Sequence, residues 1–325
     1  MKYLLEKIIE GEFFSQEEAI LFIESIDKEL LTPEQISGIM IGIQMRGLQL
    51  SEVKGFRKAL LSLSVPVMLP ANEAMDLCGT GGDGKNTFNI STTTSLILAA
   101  MGKKVIKHGN YGVSSLCGSS NVLEALGFNL NNDAKDLEKS FKEKNLAILH
   151  APLFHPALKK AAAIRRNLGI KTLFNALGPL VNPAQPKFQM TGTFSLELAK
   201  IYQHVLKNER TAYSVMYGMN GYDELTLTDT TRVFGHEGDS IREAKNYGTR
   251  TLTQDELLGG EGIEDAAKIV RNVTSGKGTE GQNIVLAANV AEALRIYDGS
   301  VNTIDAFKEA MAFIKSGQTA KHFNL

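Results

Sequence analysis

Apolar positions over the first 64 residues recur at helical spacing, and the whole stretch reads as helix. Two capping-box signatures, Ser15 with Glu18 and Thr32-Pro33 with Gln35, mark the starts of the second and third helices. In the second, Ala19, Ile20, Phe22, Ile23 and Ile26 keep the helical period. The third, Ile36 to Met45, is apolar on nearly all sides and so belongs to a core, an interface or both. Val65-Pro66 to Pro70 has no helical period and reads as a domain junction.

Beyond the junction the pattern changes to strand and helix in turn. Strand candidates are Ala74 to Leu77, Lys104 to Ile106, Leu146 to Leu149, Phe188 to Thr193, Tyr213 to Tyr217 and Arg232 to Phe234. Helices at 91–101, 121–126, 134–144 and 196–207 fall between most of them. The alternation predicts an α/β fold: a small all-helical domain over 1–64, then a larger α/β domain over 70–325 with a mostly parallel central sheet. Residues 155–183 break the rhythm with two helices, Pro156 to Leu168 and Thr172 to Ala176, and no strand between. The simplest account is that the chain leaves the sheet, joins the N-terminal helices and returns, which periodicity alone cannot show. Helices at Ile263 to Val273, Ile284 to Tyr297 and Thr303 to Ser316 close the chain and read as sheet-covering structure without chemistry.

Composition narrows the class. The 325 residues are 43% hydrophobic and 22% charged, enough apolar material for a sizeable core. A net charge of −1 offers no basic surface to nucleic acid or to a membrane, and no apolar run approaches a membrane span. The two cysteines, Cys78 and Cys117, form no disulfide framework and read as reduced thiols. The N-terminus carries Glu6 and Glu10 and lacks a signal-peptide apolar stretch, so the expected location is cytoplasmic.

The chemistry gathers in residues 76–121. A strand ending at Cys78 opens into Gly79-Thr80-Gly81-Gly82-Asp83-Gly84, and Asn89, Ser91 and Thr92 stand at the mouth of a helix. A second strand delivers Lys107, His108, Gly109 and Asn110 into another polar loop. Two such loops at strand ends make a floor of backbone N–H groups suited to an anion, phosphate first. An ordinary glycine turn would also suit Gly79 to Gly84 taken alone. Gly79, Gly81 and Gly84 match G-x-G-x-x-G, but no helix begins inside the motif and Lys107, not an acidic residue, follows the second strand. GTGGDGKN is one residue short of a Walker A loop, with Asn86 where a Mg²⁺-binding hydroxyl is required.

GTGGD, N-x-S-T, KHGN and a Ser/Gly-rich loop ending in VLEALG resemble, in order and spacing, the anthranilate phosphoribosyltransferase family of tryptophan biosynthesis. The 155–183 stretch, with H-P, R-R, F-N-x-L-G-P-L and N-P, is similar to that family's second long signature and supports the helical excursion. The resemblance implies a class II nucleoside phosphorylase-like fold and a homodimer formed through the helical domain. It implies attack of the amine of anthranilate on C1 of 5-phosphoribosyl 1-diphosphate (PRPP), expelling pyrophosphate. Matched positions for PRPP are Gly79, Gly82, Asp83, Thr87, Asn89, Ser91, Thr92, Lys107, Ser115 and Ser119, and for anthranilate Gly79, Asn110 and Arg165. Arg166 could equally be the solvated member of its pair.

Asp223 and Glu224 in GYDELTL are adjacent carboxylates, which repel unless a cation lies between them, although a solvated loop pair is equally open on residues alone. By resemblance they hold Mg²⁺, with Ser91 as a further ligand and two ions per subunit. No side chain is assigned as nucleophile or acid–base group; His108 and His155 are candidate lining residues. Such a site works by positioning and by stabilising the departing anion. After KHGN the family most often continues Arg-Ala-Val-Ser-Ser, whereas this chain has Tyr111 and Gly112, then Cys117, Ser120 and Asn121 further on, which removes a positive charge from the loop. A pyrimidine nucleoside phosphorylase is the nearest alternative, but its first-loop pattern differs and it has no use for the acidic pair. A non-catalytic relative that binds nucleic acid should be basic, and this chain is not.

Overall fold

The computed structural model describes residues 2–112, 116–209 and 212–325. Four helices open the chain: α1 (Lys2–Ile9), α2 (Gln16–Asp27), α3 (Pro33–Arg46) and α4 (Leu50–Ser62). Both expected capping boxes form, so α2 and α3 start where the orphan N–H groups of their first turns find side-chain oxygens. α3 is apolar nearly all round in sequence but not buried all round. Ile36, Ile39, Met40 and Ile43 are inside, whereas Ile41 and Met45 are exposed.

The α/β part begins with β1 (Ala74–Gly79), α5 (Ile90–Ala100), β2 (Lys104–Gly109), α6 (Ser119–Ala125), α7 (Ala134–Lys144) and β3 (Leu146–His150). The chain then departs through α8 (Ala151–Phe154), α9 (Pro156–Leu168) and α10 (Leu173–Leu177). It returns as β4 (Phe188–Gly192), α11 (Leu196–Asn208), β5 (Ala212–Gly218), β6 (Thr231–Gly235) and β7 (Gly238–Arg242). Helices α12 (Ile263–Thr274), α13 (Glu280–Tyr297), α14 (Thr303–Lys315) and α15 (Gln318–Phe323) complete it.

The described strands form one sheet in the order β3-β2-β1-β4-β5-β6-β7. β3 to β5 are parallel, and the β6–β7 hairpin adds two antiparallel strands at one edge. The chain starts in the middle at β1, builds outward through β2 and β3, then crosses to the other side of β1 with β4. That reversal is a topological switch point, and in open α/β sheets the crevice at the carboxyl ends of the strands beside it takes the ligand.

One face of the sheet is covered by α5 and α13, with α12 packed on α5 and α14 on α13 in the same core. α13 is buried along nearly its whole length, which explains why it shows no polar face. On the other face α11 and the helical bundle share one core: Phe22, Ile39 and Phe56 join Phe174, Tyr202, Val215 and Phe234. α9, from the excursion between β3 and β4, packs on α2 and α3. The expected two-part α/β architecture is therefore the observed one. Three elements escaped the pattern: β7, largely exposed at the sheet edge, and the short helices α8 and α15. α13 also starts earlier than expected, at a capping box made by Thr279 and Gln282.

Candidate active site

A cavity of about 380 Å³ opens at the carboxyl ends of β1 and β2, where the strand order reverses. Its floor begins where β1 ends at Gly79. Gly81, Gly82 and Gly84 then take φ values of +67°, +77° and +75°, a left-handed backbone that side chains resist. Gly79 is required for a different reason: a Cβ there would lie 2.9 Å from the Asp223 carboxyl carbon. β4 ends at Gly192, whose missing Cβ leaves room for the backbone of Asp223 and Glu224. The two glycines let the turn after β5 lay its acidic pair directly against the first loop.

Asp223 Oδ2 accepts from Gly81 N (2.5 Å) and Thr80 Oγ1 (3.4 Å). Glu224 Oε1 accepts from Ser91 N (3.2 Å) in the first turn of α5, where the positive end of the helix dipole favours a carboxylate. Glu224 Oε2 and Asp83 Oδ2 are buried without a hydrogen-bond partner. Burial, and then Asp83, push Asp223 well above the usual carboxylate range; burial, and then Asp223, do the same to Glu224. No lysine or arginine forms an ion pair with any of the three within 4.0 Å among the described residues. Such a donor set fits a hard divalent cation that takes one or two carboxylates and fills its shell from phosphate and water.

The second loop leaves β2. Lys107 lines the cavity but is only 2% exposed, and its ammonium donates to the Leu77 carbonyl (2.5 Å), leaving two N–H groups. Beneath it, buried Asp76 accepts from His108 N and from Asn182 Nδ2, tying β1, β2 and the turn before β4 together. Ser119 Oγ and Ser120 N both donate to the Asn110 carbonyl. Asn121 Oδ1 accepts from Gly112 N and Gly118 N, closing the loop at its base, and Asn89 Nδ2 donates to the Cys117 carbonyl across the gap between the loops. Tyr111 donates its hydroxyl to Glu124 and packs edge-on against His150. Ser115 lies outside the described residues.

The opposite wall comes from α9 and α10. Arg165 is buried and lines the cavity beside Phe174, with its guanidinium 5.4 Å from the ring centroid. Its Nε has no partner, and burial lowers its pKa to about 10. Arg166, its neighbour, is exposed, so the helix turns one arginine of the pair inward and the other to solvent. His108 and His155 sit ring to ring at 5.2 Å, each bonded to a carbonyl of the 178–181 turn. Burial, then the neighbouring His155, takes His108 down to about 3, so it is neutral at physiological pH and is no proton acceptor tuned to that range.

The structure therefore brings Gly79, Gly82, Asp83, Thr87, Asn89, Ser91, Thr92, Lys107, Asn110, Ser119, Arg165, Asp223 and Glu224 to one cavity. The sequence reading missed part of its wall: Gly259, Gly260 and Gly262 line it from the segment before α12, and Ala266 from the first turn of α12. The run Gly259-Gly260-Glu261-Gly262 was a visible signal, since glycines so close together mark backbone held in a special conformation or near approach.

A two-part glycosyl transferase organisation matches this arrangement. Residues 2–64 match the glycosyl transferase family helical bundle domain, and 71–320 match the glycosyl transferase family a/b domain. Within that class, an anthranilate phosphoribosyltransferase of Christiangramia forsetii is 44% identical over 323 residues, 99% of this chain and 97% of its own length. The crystal structure of anthranilate phosphoribosyltransferase from Thermus thermophilus superposes with a TM-score of 0.89 at 29% identity, over 99% of this chain and 97% of that one. The Saccharomyces cerevisiae enzyme in complex with PRPP and Mg superposes with a TM-score of 0.84 at 26% identity, over 94% and 89%. The chain belongs to the anthranilate phosphoribosyltransferase family.

Proposed function

We infer that this protein transfers the phosphoribosyl group of PRPP to the amine of anthranilate, giving N-(5-phosphoribosyl)anthranilate and pyrophosphate, in tryptophan biosynthesis. The observation that carries the reading is the separation of unlike charges within one cavity. Carboxylates with buried, unpaired oxygens stand on one wall, and a buried guanidinium without a carboxylate stands on another. A fold that buries charges ordinarily pairs them, because an uncompensated buried charge is costly. Here each is left for a ligand: the carboxylates for a cation carried with a diphosphate, Arg165 for the carboxylate of the acceptor.

In this reading the first loop and the N-terminus of α5 hold PRPP through Gly79, Gly82, Asp83, Thr87, Asn89, Ser91 and Thr92, and Lys107 and Ser119 line its site from the second loop. Asp223 and Glu224 would hold Mg²⁺, with the Ser91 hydroxyl available to a second ion, and metal bound there would supply positive charge against the diphosphate. Gly79, Asn110 and Arg165 orient anthranilate so that its amine faces C1. The C1–O bond to pyrophosphate breaks, the C1–N bond forms, and the amine gives up a proton to solvent water. The chain supplies position and electrostatics rather than a nucleophile. Exposed Ile9, Ile41 and Met45 on the helical bundle suit a homodimer, and two free cysteines suit a reducing cytoplasm.

The direct test follows anthranilate fluorescence with PRPP and Mg²⁺ added. Fluorescence should fall only when both are present. Phosphorolysis of thymidine or uridine in place of that reaction would overturn the reading in favour of a pyrimidine nucleoside phosphorylase.

A further inference from the structure

The segment before α12 does more than fill space beside the cavity. Phe88 N donates to the Leu257 carbonyl (2.9 Å), Thr87 and Leu258 form an antiparallel bridge, and Gly259 N donates to the Asn86 carbonyl (2.8 Å). The Asn86 amide then donates to the Gly260 carbonyl (3.1 Å). Residues 257–260 thus run as a short extra strand against 86–88, about 170 positions away in the chain. The approach is so close that a Cβ on Gly259 would lie 2.8 Å from the Thr87 carbonyl oxygen and 3.1 Å from Phe88 N. Asn86 itself takes φ +36°, a conformation asparagine tolerates better than most residues.

Toward α5 this piece of chain is also held by Phe88, buried in the main core, and by the Asn89 side-chain amide on the Cys117 carbonyl (3.2 Å), whereas toward the glycine turn the extra strand holds Asn86 and Thr87. The piece lies between the glycine turn at 81–84 and the start of α5, and it carries Thr87 and leads into Asn89 and Ser91. With three left-handed glycines just before it, the loop would have many conformations open to it, and a ligand would have to select one at an entropic cost. We propose that residues 257–260 are a positioning clamp that pre-organises the 86–89 segment for the diphosphate, with Gly259 and Asn86 as its positioning residues. The proposal rests on the reading of the first loop as the PRPP site.

Two variants and two readouts test it. Gly259→Ala forces the strands apart, and Asn86→Gly removes the amide donor while keeping the backbone free to take positive φ. PRPP binding with Mg²⁺ and no acceptor, measured by calorimetry, should weaken about tenfold in Gly259→Ala and about 2- to 13-fold in Asn86→Gly, the equivalent of one hydrogen bond. KM for PRPP should rise in parallel while KM for anthranilate stays within about twofold. Hydrogen exchange of the Phe88 amide should speed up in both ligand-free variants. Unchanged PRPP affinity, or equal damage to both substrates, would overturn the clamp, as would a fall in melting temperature with no change in exchange at 86–89. If Gly259→Ala does not fold, Asn86→Gly decides the matter alone. Failure of the unaltered protein to bind PRPP would overturn the functional reading instead, and the exchange measurement would still judge the clamp.

Discussion

Glu292 and Glu224 belong to the same α/β domain, and both have carboxylate oxygens out of solvent, but their surroundings are opposite. Glu292, on α13, accepts from Arg242 Nε (2.8 Å) and Arg295 (2.9 Å), with Ser214 and Tyr247 at 3.4 Å. Burial alone would raise its pKa, but Arg242 and then Arg295 outweigh that and hold it below the usual carboxylate range. Glu224 has a backbone N–H at one oxygen and no hydrogen-bond partner at the other; burial, and then the neighbouring Asp223, raise its pKa despite that N–H. The fold can pair a buried glutamate with arginine, and at Glu292 it does so twice. Leaving Glu224 without a cationic partner in the same domain marks a place where the missing partner arrives with the ligand.

The largest expected effect lies on the unpaired side. Asp223→Asn with Glu224→Gln should cut turnover by several kcal/mol of barrier, on the order of 10³-fold, and change its Mg²⁺ dependence. Its melting temperature should be equal or slightly higher, since repulsion between like charges is relieved. Rates against Mg²⁺ at saturating PRPP, with a melting curve beside them, check both halves. An unaltered Mg²⁺ profile would erase the contrast.

Glu292→Gln should behave in the reverse way. Two arginines lose their buried counter-charge, so stability should fall by about 3–5 kcal/mol while the molecules that remain folded keep their KM values. Urea unfolding beside steady-state kinetics measures this. A stable but inactive variant would mean the cluster serves the reaction.

Arg165→Ala should cost about 1.5–3 kcal/mol of a charge-assisted hydrogen bond, roughly 10- to 150-fold, on anthranilate KM or kcat/KM. PRPP affinity should change far less. Equal losses on both substrates would make Arg165 a structural residue and remove the cationic half of the argument.

The smallest effect is in pH. A carboxylate with a raised folded-state pKa keeps its proton longer in the native than in the unfolded chain. Its stabilising contribution is present below the unfolded value near 4 and is lost as pH rises through the folded one. For Glu292 the sign is opposite: its contribution is present above the unfolded value near 4.5 and is lost as pH falls. In chelator, the unaltered protein should lose melting temperature relative to the Asp223/Glu224 double variant between pH 4 and 8, on the order of a few degrees, and Mg²⁺ should cancel the loss. A difference that ignores Mg²⁺ would move the cation elsewhere.

Much of this fold is legible in the sequence. The capping residues Ser15 and Thr32 set helix starts by local hydrogen bonding, and the alternation after Pro70 set the parallel sheet, because both signals act over a few neighbouring residues. The glycine loop was legible only together with Ser91, Thr92 and Lys107, since closely spaced glycines at a strand end also serve ordinary turns. β7 was not, because a half-exposed edge strand needs no apolar alternation.

What the tertiary structure alone decided was which distant residues meet, and which meetings were withheld. Sequence could place Arg165 beside Arg166, but only the packing of α9 on the bundle turned the first into the cavity and left the second in solvent. It could show Asp223 and Glu224 as neighbours, but not that the missing side chains of Gly79 and Gly192 let them sit against the first loop. The glycines at 259–262 signalled special backbone but not its partner, and the segment reached 86–88 only because the chain doubles back along the sheet. Pairing of that kind depends on the path of the whole chain, which a local pattern does not encode, whereas helix caps and strand periods are settled by residues a few positions apart.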